Sequence, residues 1–355
     1  MIMLTYYIAL FMIGGGIAYL CTPLVRGVSL KMGWLDKPNW RKVNKKPMPL
    51  VGGLAIYLGF IVACALVLPK SPVAVNNEKL LGFLAGSFII LLVGITDDIK
   101  GLSARRKLFY QMAAALLAYI SGYSIIKVSN ILGGAFHAPA IISMTLTVIW
   151  IIGFTNAINL MDGLDGLAAG VSAIIAASLF FAGIRSNNII VSLLAIGIAG
   201  STLGFLPYNF YPAKIFMGDT GSMFLGFALS LISIEAAHKG ATFVTLLIPI
   251  IAMGVPTVDT GLSIIRRLIK GNGVFKADKE HIHHKLLVRE GAQRPAVITL
   301  YLLTGSFGLI AIALSRMTGI WAAFAIIITA ILTLRWIFNA GFLDIPQNQK
   351  KENNG

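Results

Sequence analysis

Residues 80–107 read LLGFLAGSFIILLVGITDDIKGLSARRK. The apolar run from 80 to 96 ends directly on Asp97-Asp98, and Lys100, Arg105, Arg106 and Lys107 follow at once. Hydrocarbon about 30 Å thick is crossed by about 20 mainly apolar helical residues. The stretch therefore predicts a membrane helix that delivers two adjacent carboxylates to one membrane face. Adjacent carboxylates repel, and a divalent cation or nearby ammonium groups relieve the repulsion. A solvated loop with local ion pairs also accommodates such a dipeptide, so its meaning depends on what else reaches the same face.

The whole chain has this character. Of 355 residues, 57% are hydrophobic and 12% charged, against roughly 25% charged in soluble domains, and the mean hydropathy is +0.83. That composition excludes disorder, a basic nucleic-acid-binding tail and an ordinary soluble enzyme. Eleven apolar runs appear, at 4–25, 50–68, 80–96, 109–126, 140–157, 167–184, 189–206, 221–237, 241–265, 296–315 and 319–338. The expected fold is an all-α polytopic bundle of about 11 spans. One membrane domain, 1–340, carries the loops, and 341–355 form a polar tail. The first run has no basic stretch before it and no small-residue cleavage pattern after it, so it reads as an uncleaved helix.

Net charge is +15, from 29 Lys and Arg against 14 Asp and Glu. Lys and Arg concentrate on cytoplasmic loops. With the N-terminus outside and the C-terminus inside, 23 of the 29 cations fall on inner segments, which fixes the expected orientation. Assigned to that topology, 11 of the 14 acids also lie inside. The reactive chemistry is thus expected on the cytoplasmic face. Cys21 and Cys64 would sit roughly 21 Å apart in depth, too far for a disulfide, so both read as packing residues. Gly-x-x-x-Gly occurs at 82/86, 166/170 and 200/204, about what composition alone predicts among 37 glycines.

Four inner segments are unlike generic loops. The first is Asp97-Asp98 with its cations. The second, Asn156 to Gly166, places Asn156, Asn159, Asp162 and Asp165 at uninterrupted spacing of three, and Gly163 and Gly166 permit a turn and close ligand approach. Helix capping is the plainer alternative. The third, Pro207 to Ser222, carries Asn209, Phe216 and Asp219, the acid lying at a helix start where anions and metal–phosphate complexes are favoured. Its aromatics could stack on a base or belong to an interfacial belt. The fourth holds His281, His283 and His284 among many cations, a charge that suits phosphate better than zinc. Asp259, beside Pro256 and within the run that also holds Pro249, fits either a structural pairing or a catalytic role.

Together these residues resemble the polyprenyl-phosphate N-acetylhexosamine-1-phosphate transferases, and within them the bacterial undecaprenyl-phosphate N-acetylglucosaminyl-1-phosphate branch. The resemblance covers roughly residues 20–295 and rests on Lys45 to Gly53, Asp97 to Lys100, Asn156 to Gly166, Phe216 to Ser222 and His281 to His284. The family's pattern usually has His where Asn44 stands and Arg where Leu50 stands, and often Arg where Lys279 and Lys285 stand. The resemblance implies a bacterial plasma-membrane enzyme that transfers GlcNAc-1-phosphate from UDP-GlcNAc to undecaprenyl phosphate with Mg²⁺ or Mn²⁺, releasing UMP. This would be the first membrane step of a cell-envelope polymer such as teichoic acid or O-antigen.

By motif position, it implies Asp97, Asp98 and Asp219 as catalytic acids, with Asp219 and Asp98 on the metal. Lys46, Lys107, Asn156, Asn159, Asp162, Asp165, Asn209, Phe216, His281, His283 and His284 would bind substrate. The prenyl tail is expected beside the ninth run, bent at Pro249 and Pro256. Membrane lipid is the only other partner expected; nucleic acid is not, and monomer and homodimer both remain open. A related enzyme using UDP-MurNAc-pentapeptide is the alternative. A multi-span transporter fits less well, because its ionisable groups would gather near the midplane.

Overall fold

The computed structural model describes residues 2–37, 46–74, 76–129, 135–238, 250–251, 253–269, 282–314 and 319–339. It is 83% helical. The helices are α1 Ile2–Met32, α2 Gly53–Val67, α3 Asn77–Lys100, α4 Ala104–Ile120, α5 Ala140–Met161, α6 Leu167–Arg185, α7 Ile189–Asn209, α8 Gly218–His238, α9 Gly254–Ile269, α10 Ile282–Glu290, α11 Gln293–Leu314 and α12 Gly319–Asn339. Each of the eleven apolar runs overlaps one of these helices, and the short α10 lies outside the runs. Among the described residues, eight helices are long and apolar enough to cross a membrane. The all-α expectation needs one amendment. Two small antiparallel pairs are present, β1 Leu35–Asp36 with β2 Met48–Pro49, and β3 Lys127–Ser129 with β4 Ala135–His137.

Local chemistry sets the ends of α3. The Asn76 side chain accepts from the Lys79 amide at 3.0 Å, a capping bond. At the other end Gly101 takes φ +71°, a conformation glycine adopts without penalty. The helix stops there, leaving Asp97 and Asp98 in its last turn.

Helix α8 is the centre of the bundle. Phe224, Phe227, Leu231 and Ile232 are fully buried, as expected of a helix that is apolar all round. It packs against α3 and α5 most extensively, then α6 and α2. Its neighbours approach closely because glycine faces them: a Cβ on Gly94 of α3 would lie 2.5 Å from the Thr220 Cα.

Helices α1 and α7 meet in the same way, with Gly200 and Gly204 directly against the backbone of Phe11 and Gly15. The Gly-x-x-x-Gly pairs, uninformative by count, therefore do occupy tight contacts; Gly86 also packs on Phe227 and Gly170 on Tyr301.

Both cysteines are free. Pro256 is the third residue of α9, in the first turn, where a missing N–H breaks no helical bond. It begins a helix where the sequence had implied an interruption; Pro249 lies outside the described residues. Asp259 is buried in α9.

Candidate active site

The Asp97-Asp98 end of α3, the end of α5 that leads into Asp162, the Asn209 end of α7 and the Asp219 end of α8 converge at one end of the bundle around a cavity of about 1060 Å³. Asp97, Asp98, Asp162, Asp165, Asp219 and Asp36 all contribute to its wall.

Asp98 reaches from the last turn of α3 to the first turn of α8. Its carboxylate accepts the Asp219 amide at 2.8 Å, the Thr220 amide at 3.1 Å and the Thr220 hydroxyl at 2.6 Å. The orphan donors at a helix N-terminus need acceptors, and here an acid from another helix supplies them. The N-terminus of α8, expected from sequence to face a substrate anion, thus faces Asp98.

Lys107, at the start of α4, joins the other two acids. Its ammonium lies 2.6 Å from Asp97 Oδ2 and 2.6 Å from Asp219 Oδ2. The second oxygen of Asp97 accepts the Leu102 amide at 2.6 Å. The second oxygen of Asp219 accepts from Asn159 Nδ2 at 3.0 Å, and the same amide group donates to Ser222 Oγ at 2.9 Å. The spacing-of-three stripe therefore delivers Asn159 to Asp219 and Asp162 to the cavity. Asn156 takes another course. It pairs with Gln111 at 2.7 Å and with the Ile152 carbonyl at 2.8 Å, outside the cavity wall.

Asp162 follows the end of α5, and its carboxyl is held well above the usual carboxylate range. Burial is the main cause, reinforced by Asp219, Asp98, Asp165 and Asp36. Asp165 is raised by burial too, an effect opposed by the Ala213 amide at 2.9 Å and by the Gln293 side chain.

The 210–217 segment is pinned on several sides. Buried Asn209 donates to the Ile215 carbonyl at 3.0 Å, so its amide closes this loop while the residue also lines the cavity. The Phe216 amide donates to Pro49 O at 2.8 Å, and Gly52 N and Gly53 N donate to Phe216 O and Met217 O at 3.0 and 2.9 Å. Arg26 of α1 donates to the Lys214 carbonyl at 3.1 Å. The Lys46 to Gly53 motif thus fixes Phe216 on the cavity wall, which Lys46 also lines. His281 lies outside the described residues. His283 and His284 lie on α10, and their side chains are likewise outside the description.

Sequence reasoning passed over Asp36, Gln293 and Arg294, all on the wall. Asp36 is carried there by the β1–β2 pairing, which two-residue strands do not announce. Gln293 and Arg294 open α11, and a lone cation on an inner segment carries no signal beyond topology.

Among the described residues, no three His, Cys, Asp or Glu side chains form a group that could hold a metal ion unaided. The donors facing the cavity are oxygens, which suit a hard dication. Mg²⁺ is commonly held by one or two carboxylates together with substrate phosphates. Asp219 fits that mode; Asp98 already accepts three hydrogen bonds and fixes the start of α8, and Asp97 is taken up by Lys107 and the Leu102 amide.

Residues 80–237 match the family model "Glycosyl transferase family 4". The chain is 38% identical over 324 residues to the Bacillus subtilis (strain 168) protein named "Probable undecaprenyl-phosphate N-acetylglucosaminyl 1-phosphate transferase", spanning 89% of this chain and 87% of that one. It is 34% identical to a "Decaprenyl-phosphate N-acetylglucosaminephosphotransferase" of Mycolicibacterium smegmatis, over 81% of this chain and 77% of that one. It is also 32% identical to a "Phospho-N-acetylmuramoyl-pentapeptide-transferase" of Endomicrobium trichonymphae, over 69% and 74%. With the acids and the 210–217 loop converging on one cavity, and Lys107 bound to two of those acids, the chain belongs to glycosyl transferase family 4, the polyprenyl-phosphate N-acetylhexosamine-1-phosphate transferases.

Proposed function

We propose that the protein transfers N-acetylglucosamine-1-phosphate from UDP-GlcNAc to undecaprenyl phosphate, giving the lipid diphosphate-linked sugar and UMP. The observation that carries this reading is Lys107 bridging Asp97 and Asp219, two acids of the cavity wall, in a chain whose relatives are named for that transfer. The GlcNAc donor is favoured over UDP-MurNAc-pentapeptide because the first relative matches at higher identity and over more of the chain. The cation asymmetry supports a cytoplasmic cavity in an eleven-span bundle of the plasma membrane, N-terminus outside.

In the transfer, an oxygen of the lipid phosphate bonds to the β-phosphorus while the bond from that phosphorus to the bridging oxygen breaks, and UMP leaves with the electron pair. Such displacement depends chiefly on positioning and charge neutralisation. A phosphomonoester's second pKa is near 6, so the nucleophile is already largely ionised at neutral pH. No strong base is required, in keeping with Asp97, whose two oxygens are committed to Lys107 and Leu102. Lys107 holds Asp97 and Asp219 at a fixed separation and places an ammonium where negative charge accumulates. Asn159 orients Asp219, and Phe216, held by Pro49 and Gly52, offers a face to the uracil. Mg²⁺ or Mn²⁺, held by Asp219 with the diphosphate, would neutralise charge on the leaving UMP.

The test is purified protein incubated with undecaprenyl phosphate, Mg²⁺ and a panel of UDP-sugars, with UMP and the lipid product measured. UMP formed only with UDP-GlcNAc supports the reading; its absence with every sugar overturns it.

A further inference from the structure

Arg294 is the second residue of α11, and its position on the cavity wall has no role in the transfer described above. Its guanidinium carbon stands 5.6 Å from the centre of the Phe210 ring. That ring is 6.5 Å from the ring of Tyr301, whose hydroxyl donates to the Gly166 carbonyl at 2.6 Å. Gly166 takes φ +77°, and a Cβ there would lie 3.0 Å from the Phe210 ring. The platform beneath Arg294 is thus tied to the loop that carries Asp162 and Asp165, and the neighbouring Gln293 side chain bonds Asp165.

A guanidinium held over a ring by cation–π attraction spends no N–H group on that contact, leaving its fork of donors available for a bidentate anion. Among the described residues Arg294 makes no ion pair, and its side chain is exposed at the cavity. The described wall carries six aspartates and two cations of its own, Lys46 and Arg294, while Lys107 is bound to Asp97 and Asp219 beside it. A lipid phosphate and a diphosphate must enter together, so a fork of donors backed by Phe210 at that wall has an evident use.

Building on the transferase reading, we infer that Arg294 is a substrate-binding residue that grips a phosphate group through its in-plane donors, with Phe210 as its backing. The phosphate belongs either to the nucleotide donor or to the prenyl acceptor. Steady-state kinetics of Arg294→Met and Arg294→Lys, varying each substrate at saturating levels of the other, separate the two. Loss of a charge-assisted hydrogen bond raises the KM for one substrate about 10- to 100-fold in the Met variant. The Lys variant falls between, because ammonium lacks the bidentate fork, and kcat stays within about threefold. The substrate whose KM moves identifies the phosphate.

Both KM values within twofold of wild type would overturn the inference, as would equal losses of kcat in both variants with KM unchanged. Should Arg294→Met fail to fold, Phe210→Leu tests the backing and is expected to raise the same KM as Arg294→Lys. If wild-type protein releases no UMP, the transferase reading fails separately. Calorimetric titration with UDP and with a short-chain prenyl phosphate then decides about Arg294: binding of both ligands unweakened in Arg294→Met overturns its role, and weakened binding of one upholds it.

Discussion

Thr220 binds Asp98 twice, its amide and its hydroxyl both donating to Oδ2, at 3.1 and 2.6 Å. The acid end of α3 and the first turn of α8 are thereby locked one residue away from Asp219. Asp98→Ala leaves these donors without their acceptor and is expected to destabilise the protein by about 1–3 kcal/mol. It should also lower transfer by about 100-fold or more, because Asp219 loses its anchor. Thr220→Val, which removes only the hydroxyl, should cost about 1 kcal/mol and far less activity. Thermal unfolding in detergent and UMP release rank the two variants; equal effects would contradict the assignment.

Lys107→Met removes the ammonium between Asp97 and Asp219 and leaves two carboxylates facing each other. The expected loss in kcat is about 100- to 1000-fold, the size associated with removing a preorganised charge from a reaction centre. Lys107→Arg keeps the charge but changes its shape, and is expected to recover only part of the rate. Single-turnover measurement of the lipid product distinguishes this loss from slow product release.

Asp162 sets a pH dependence of stability. Its carboxyl is raised in the fold by burial and by the surrounding acids, above the roughly 3.9 of an unfolded chain. The folded state therefore binds the proton more tightly, and this group's stabilising contribution is lost as pH rises from about 4 through its raised value. Asp162→Asn should unfold at a higher temperature than wild type at pH 8, with the gap narrowing at pH 5, while transfer falls. A gap that widens on acidification would sink this account.

Gly94→Ala tests the close approach of α3 to α8. The added methyl would meet backbone at Thr220 Cα and Asp219 O, 2.5 and 2.7 Å away, and no side-chain rotation relieves that. Overpacking of this kind costs about 1–3 kcal/mol. The displaced helix carries Asp219, so activity should fall together with melting temperature, whereas Gly16→Ala, where a Cβ meets nothing within 4 Å, should leave both unchanged.

The helices were legible because apolar runs of membrane length leave few alternatives, and the gathering of acids at one end followed from assigning each to a loop. The spacing of three carries Asn159 to Asp219 and Asp162 to the cavity wall. Asn156 turns to Gln111 of α4 instead, because a stripe on a helix says which face a residue shares and not which neighbour covers it. The role of Asp98 was hidden for a related reason. A helix N-terminus attracts any anion, and nothing local reveals that a carboxylate 121 positions earlier in the chain reaches it. Arg294 escaped notice because its platform, Phe210 and Tyr301, lies on two distant segments.

The length of α1 gives bilayer thickness a part in the chemistry. Its 31 residues extend about 46 Å, against roughly 30 Å of hydrocarbon, so the helix must tilt or protrude. Arg26, near its end, holds the Lys214 carbonyl, in the loop that leads to Phe216 and Asp219. A thinner membrane that tilts α1 further is expected to move Arg26 relative to that loop. Hydrophobic mismatch is therefore expected to reach the loop proposed to receive the nucleotide, and transfer rates in lipids of graded acyl length test that coupling without altering a single side chain.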